Sequence, residues 1–171
     1  KTGYNLKGGA SYNINDQNIV FANIGKYSRQ PFLDNIFPSY SDNTQLADPA
    51  VDNEEIFGFE AGYKFVLNDQ FQANLNGYYT KWENRFLNAG GEYDADGDGV
   101  VDYDDVNFLF TNIGQLHKGL ELDLKYRPTL RWMIRGYATV GDWNYEGSTP
   151  VRIRDNNTSQ FVDELNVNLT D

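Results

Sequence analysis

Cysteine is absent from the 171 residues, which excludes disulfides, thiolate metal sites and a cysteine nucleophile. One His is too few for a zinc enzyme or a histidine relay. Lys and Arg number 14 against 25 Asp and Glu, a net charge of −11. So acidic a chain lacks the clustered cations that hold phosphate backbones, and no nucleic-acid partner is expected. No run approaches the ~18 apolar residues of a membrane helix, and no segment joins a basic start, an apolar stretch and a small-residue cleavage site. Helical periodicity is also missing. Aromatics are abundant: Tyr 12, Phe 11 and Trp 3, beside Gly 16, a composition of β-structure with turns. The length suits a single domain, 1–171. Lys1 is not a start, and residues 166–171 stop in mid-pattern without a closing aromatic, so the chain reads as a piece of something larger.

Period-two alternation dominates. In 71–79 the odd positions are Phe71, Ala73, Leu75, Gly77 and Tyr79, and the even ones are Gln72, Asn74, Asn76 and Tyr78. Such a strand has one apolar and one polar face. The same pattern runs through 4–12, 57–65, 115–126 and 132–140, while 17–27 is β-like but apolar on both faces. Six strands are therefore expected in an antiparallel up-and-down meander. Asn15-Asp16, Asn68-Asp69 and Pro128-Thr129 read as tight turns. Roughly 28–54, 88–111 and 146 onward read as long loops. Nine alternating residues at about 3.3 Å each, tilted by roughly 40°, rise about 23 Å, close to the ~25 Å apolar band of a transmembrane barrel. Tyr12, Phe65, Phe71, Tyr126 and Trp132 lie beside the short turns on the apolar parity, where an interfacial aromatic girdle belongs. On pattern alone, a soluble β-sandwich with an aromatic core is the other reading. Six strands cannot close a membrane barrel, whose smallest single-chain form has about eight.

Several strings carry a family likeness. Residues 27–32 (Tyr27, Ser28, Arg29, Gln30, Pro31, Phe32), 52–63 (from Asp52-Asn53-Glu54-Glu55 to Gly62-Tyr63), 74–79, 111–123 and Gly141-Asp142-Trp143 together resemble consecutive barrel strands of TonB-dependent outer-membrane receptors, most like the kind found in Bacteroidota. The resemblance implies a segment of a 22-stranded barrel in the bacterial outer membrane, with a plug domain outside these residues. Its implied partners are the rest of the barrel and plug, the TonB complex, outer-membrane lipid and an imported small ligand, glycan or peptide.

The sharpest local motif is Asp94-Ala95-Asp96-Gly97-Asp98-Gly99-Val100-Val101-Asp102, followed by Asp105. Counted from Asp94, carboxylates fall at positions 1, 3, 5, 9 and 12, Gly99 at 6 and the Val100 carbonyl at 7, the spacing of an EF-hand-type loop. Ca²⁺ takes six to eight oxygens, and alternate side chains converge only if glycine permits the sharp turn. Asp94, Asp96, Asp98, Val100, Asp102 and Asp105 are thus the expected ligands of a structural Ca²⁺ in the extracellular loop 88–111. No Lys or Arg lies between Arg85 and Lys118 to neutralise these acids, and an unliganded acidic loop is the plainer alternative.

No catalyst is expected. His117 reads as a rim residue, and Glu54, Glu55 and Glu60 as a polar strand end in preference to a glycosidase pair. The sequons at Asn156, Asn157 and Asn168 carry no meaning in a bacterial outer membrane. Tyr27, Arg29, Phe32, Phe37 and Tyr40, with the segment 28–50, are candidates for ligand contact from an extracellular loop, or equally for packing between loops. Two rival functions stand beside the receptor: a non-TonB barrel (a porin or a phospholipase-like enzyme), and a soluble calcium-dependent β-module for adhesion or sugar binding.

Overall fold

The computed structural model describes residues 1–37, 46–47 and 50–170. Among them, eight strands form one open antiparallel sheet: β1 (Tyr4–Asn15), β2 (Asn18–Arg29), β3 (Glu54–Leu67), β4 (Phe71–Tyr93), β5 (Tyr103–Thr129), β6 (Trp132–Glu146), β7 (Ser148–Asp155) and β8 (Phe161–Asn168). One helical turn, α1 (Leu33–Ile36), follows β2. The first six strands are those expected from the alternation. The other two arise in the polar segment after 146, where β7 and β8 pair as a hairpin.

The strands β1 to β5 pair in chain order. β5 is long enough to serve two partners along one edge. β6 takes its C-terminal part, from Gly114 opposite Glu146 to Thr129 opposite Trp132. β7 takes its N-terminal part, from Val106 opposite Asp155 to Phe110 opposite Val151. The chain passes from one to the other through Gly147, whose φ of +80° suits a residue without a Cβ.

Short turns close three hairpins at one end. In the first two, Asn side chains cap the bend: Asn15 Oδ1 accepts from Gln17 N at 3.0 Å, and Asn68 Oδ1 accepts from Gln70 N at 2.9 Å. The third turn lies two residues beyond the expected place. Leu130 and Arg131 make it, and Pro128 stays in the strand at a register shift between Tyr126 and Thr129. Proline brings no N–H to the ladder, which fits the irregularity there.

The two faces of the sheet are inverted relative to a soluble protein. On one face the register rows run Ile24–Phe59–Tyr79, Val20–Tyr63–Leu75–Leu122 and Phe71–Tyr126–Ile134. These apolar side chains are open: Phe59 is 45%, Leu75 48%, Leu120 52% and Val140 68% exposed. The opposite face carries Asn23, Glu60, Lys64, Asn74, Asn76 and Asp123, and it bounds two open grooves. Asn76 there is only 8% exposed. Tyr78 lies across this polar face, over Gly119 and Gly141. A Cβ at either glycine would come within 2.7 Å of its hydroxyl oxygen, which accepts from Trp143 Nε1 at 2.9 Å.

The apolar face has borders. Toward the short turns, Phe65, Phe71 and Tyr126 form a chain of ring contacts with centroids 6.3 and 6.4 Å apart. Toward the other end, Lys26 and Lys81 both stand opposite Phe57, and Lys118 stands opposite Tyr79 and pairs with Asp142 at 3.1 Å. Nine to eleven residues separate the two borders on β3 and β4, roughly 23–28 Å at a tilt of about 40°.

Beyond that band β4 and β5 continue as an outer wall that β7 and β8 widen. Here the buried apolar residues Val106, Leu109, Ile113, Val151 and Ile153 make the small core of the molecule. The segment 88–111 is accordingly mostly ladder, with β4 running to Tyr93 and β5 starting at Tyr103, and the loop proper is 94–102. In the segment 28–54, residues 38–45 and 48–49, with Tyr40, lie outside the described residues.

Candidate functional site

The loop 94–102 sits at the tip of the longest hairpin. Its base is fixed by Tyr93 and Tyr103, register partners whose rings stack with centroids 6.4 Å apart, and by Asp102 N donating to Tyr93 O at 3.0 Å. Gly97 and Gly99, with φ of +75° and +89°, let the chain curl back on Asp94. The Asp94 carboxylate accepts from Gly97 N at 2.7 Å and Gly99 N at 2.8 Å, and Asp102 accepts from Ala95 N at 2.8 Å. The bond from Gly99, followed by the other backbone donors, holds the Asp94 carboxyl below the usual carboxylate range.

The fold brings together three of the expected ligands. Asp94, Asp96 and Asp102 each offer an oxygen, and these oxygens lie within 4.8 Å of one another. Asp98 and Asp105 are not in that group. Asp98 Oδ1 accepts from Val100 N at 2.7 Å, while the Val100 side chain stands in solvent. Asp105 is committed elsewhere: its carboxylate accepts from Asn156 Nδ2 at 2.7 Å and its carbonyl from Asn156 N at 2.9 Å.

That commitment ties the loop to the turn between β7 and β8. Asn157 Nδ2 also donates to Asp104, at 3.2 Å, and Asp155 caps the turn by accepting from Thr158 Oγ1 at 2.6 Å. On the neighbouring strand pair the Tyr93 hydroxyl donates to the Asp163 carboxylate. This bond pushes the Tyr93 hydroxyl up to about 12 and holds Asp163 low. Asp155 is likewise lowered, chiefly by Thr158. Carboxylates depressed in the folded state contribute stability above their unfolded value of about 3.9 and lose it as the pH falls through the folded value. Acidification from pH 7 to pH 3 should therefore loosen the wall tip before the barrel sheet. Amide hydrogen exchange should speed up in 94–102 and 155–163 while 71–79 stays protected.

The remaining candidates take the following places in the sheet. His117 stands opposite Thr80 and Trp143, its ring centroid 6.3 Å from that indole. Glu54 is buried and pairs with Arg29 at 2.5 Å. Glu55 points to the opposite face, accepting from the Tyr4 hydroxyl at 2.8 Å. Glu60 lies near Asn23 Nδ2, at 3.5 Å. Two features escaped the sequence reading. The lysine border of the apolar face shows only when strands are set in register, and the anchor at Asn156 lies 51 residues from Asp105.

A protein-family model described as TonB dependent receptor-like, beta-barrel, matches residues 1–169. No curated protein and no solved structure matches the chain.

Proposed function

The chain belongs to the TonB-dependent receptor β-barrel family, and from that premise we propose that it is the part of an outer-membrane barrel that helps bind a scarce nutrient and import it when TonB moves a plug. Proteins of this family are outer-membrane receptors and transporters, not enzymes. The observation that carries the reading is the inverted sheet: an exposed apolar band about as tall as a bilayer core, bordered by lysines and aromatics, backed by a polar face that bounds grooves. A soluble sandwich would bury the apolar face instead. The outer wall and the loops 28–54 and 94–102 then face the medium and meet the ligand, and the likeness of 52–63 and 74–79 to Bacteroidota receptors supports a source in that group.

The same reading gives the loop 94–102 a structural Ca²⁺, held by Asp94, Asp96 and Asp102 with Asp98 and the Val100 carbonyl within the same short loop. Three gathered carboxylates without a cation repel one another, and a hard divalent ion removes that cost. Residues around the loop contribute order, not chemistry.

Cells expressing the intact receptor should take up its ligand only when TonB is present, and His117→Ala should leave uptake within about twofold of wild type. Undiminished uptake without TonB would show an open porin. Substrate turnover by the purified protein would show an enzyme.

A further inference from the structure

Among the described residues the most deeply buried charge is the guanidinium of Arg154, on β7 in the outer wall, with 1% of the residue exposed. Its Nε and Nη2 have no acceptor among those residues. We propose that this edge of the guanidinium holds a small monovalent anion of the chloride class, enclosed between β5 and the β7–β8 hairpin. The proposal concerns the outer wall alone and goes beyond the transport reading.

Burial is what sets Arg154 apart. An exposed cation such as Lys7 or Arg131 is satisfied by water and needs no ion pair. Arg154 has no such recourse. A guanidinium cannot shed its proton, and a charge sealed from water without a counter-charge is strongly destabilising. The two orphaned nitrogens form one edge of the planar fork. That edge grips a carboxylate through two parallel bonds, or a single spherical ion through both. Its acceptor must also bring negative charge, because a neutral one would satisfy the N–H groups and leave the cation uncompensated.

The acids of this part of the wall are all taken. Arg154 stands between its register partners Asn107 and Phe161, both uncharged. Asp105, two residues before Asn107, accepts from Asn156 Nδ2 at 2.7 Å, and Asn156 Oδ1 accepts from Asn107 Nδ2 at 2.8 Å. Glu164 pairs with Arg152 at 3.6 Å. The β7–β8 ladder also shifts register here: Asp163 stands opposite Ile153 but Phe161 opposite Arg154, which leaves Val162 as an extra residue. Such a bulge re-aims side chains and interrupts the ladder. Asp163 accordingly accepts from Tyr93, while the Phe161 ring goes to Arg152, whose guanidinium lies 3.8 Å from its centroid. Asp155 points away from Arg154 by alternation and caps the turn through Thr158. Each of these carboxylates has another partner. A guanidinium this enclosed admits only a small guest, and the interrupted ladder beside it gives such an ion a way in.

The test uses the intact receptor purified in detergent, at one ionic strength supplied either by sodium chloride or by sodium gluconate, whose anion is too large to be enclosed. Amide hydrogen exchange is read in 106–110 and 151–154. Exchange there should be about tenfold slower in chloride held at about ten times its dissociation constant, with 71–79 the same in both salts. Arg154→Met should exchange alike in the two salts. Arg154→Lys, which keeps the charge but lacks the two-nitrogen edge, should respond to chloride by at most about threefold. Crystals soaked in sodium bromide should show an anomalous peak against Nε and Nη2 of Arg154. If the wild type exchanges alike in both salts, the proposal is wrong, and a bromide peak beside so unresponsive a wall would mark an adventitious ion only. A chloride effect that survives in Arg154→Met would place the anion elsewhere, and a protein carboxylate found on the Arg154 edge would replace it; either result overturns the proposal. None of these outcomes depends on whether uptake requires TonB.

Discussion

Leu75→Arg should block folding into bilayers, with a cost of about 2–4 kcal/mol for a residue near the membrane midplane, while Asn74→Arg should fold nearly as wild type. The two positions are adjacent on β4 and face opposite ways. Leu75 stands opposite Tyr63 and Leu122 on the open apolar face, and it is 48% exposed. An arginine there meets hydrocarbon if the face lies against lipid, and water if the face is open to solvent. Asn74 stands opposite Lys64 and Asp123, so a new guanidinium at this position remains solvated and has a carboxylate beside it. Folding yield into lipid vesicles, followed by heat-modifiable gel mobility, separates the cases. Equal tolerance of both substitutions would sink the membrane assignment.

Calcium should protect the tip of the β4–β5 hairpin from proteolysis, with a midpoint of about 0.1–1 mM, the range of extracellular calcium modules. Binding is expected at this weak end because only Asp94, Asp96 and Asp102 are gathered, while Asp105, the residue at the position of a bidentate glutamate, is held by Asn156. Asp96→Asn should shift the midpoint at least tenfold. Asp105→Asn should shift it little, since that side chain is spent on the β7–β8 turn. Mass spectrometry of limited digests reads the cleavage sites directly. Protection that is the same with calcium and with EDTA would show the loop held by its own hydrogen bonds.

How far the molecule could be read beforehand depended on whether local alternation survives. In 57–65, 71–79 and 132–140 it does, and each became a strand with the expected apolar face. It fails where β4 and β5 leave the band. Asn84 and Asn112 take positive φ, 59° and 62°, and the register shifts between Trp82 and Arg85 and again before Leu87. Past that break Phe108, Leu109 and Phe110 are consecutive apolar residues, so period two disappears although the ladder continues. The strand β7 was hidden by Pro150 and by Arg152, Arg154 and Asp155, polar residues that gain burial only by pairing with β5 and β8. The loop motif was legible from spacing because its glycines and carboxylates act within nine residues. Diversion of Asp105 was not, because its partner arrives from a distant turn.

The division of one β5 edge between β6 and β7 has a consequence for how the chain assembles. Pairings from β1 to β6 join strands adjacent in sequence, so hairpins can zip in succession, the longest connection to close being the 24 residues between Arg29 and Glu54. The contact of β7 with β5 is different: Val106 and Asp155 meet across 49 positions of sequence, and only after β6 has been laid down. This segment should therefore dock late. A nascent or truncated chain lacking 148–155 would leave 106–110 of β5 as a bare edge carrying Val106, Phe108 and Leu109. Such an edge is a template for pairing with other chains, and aggregation of shortened forms should nucleate there.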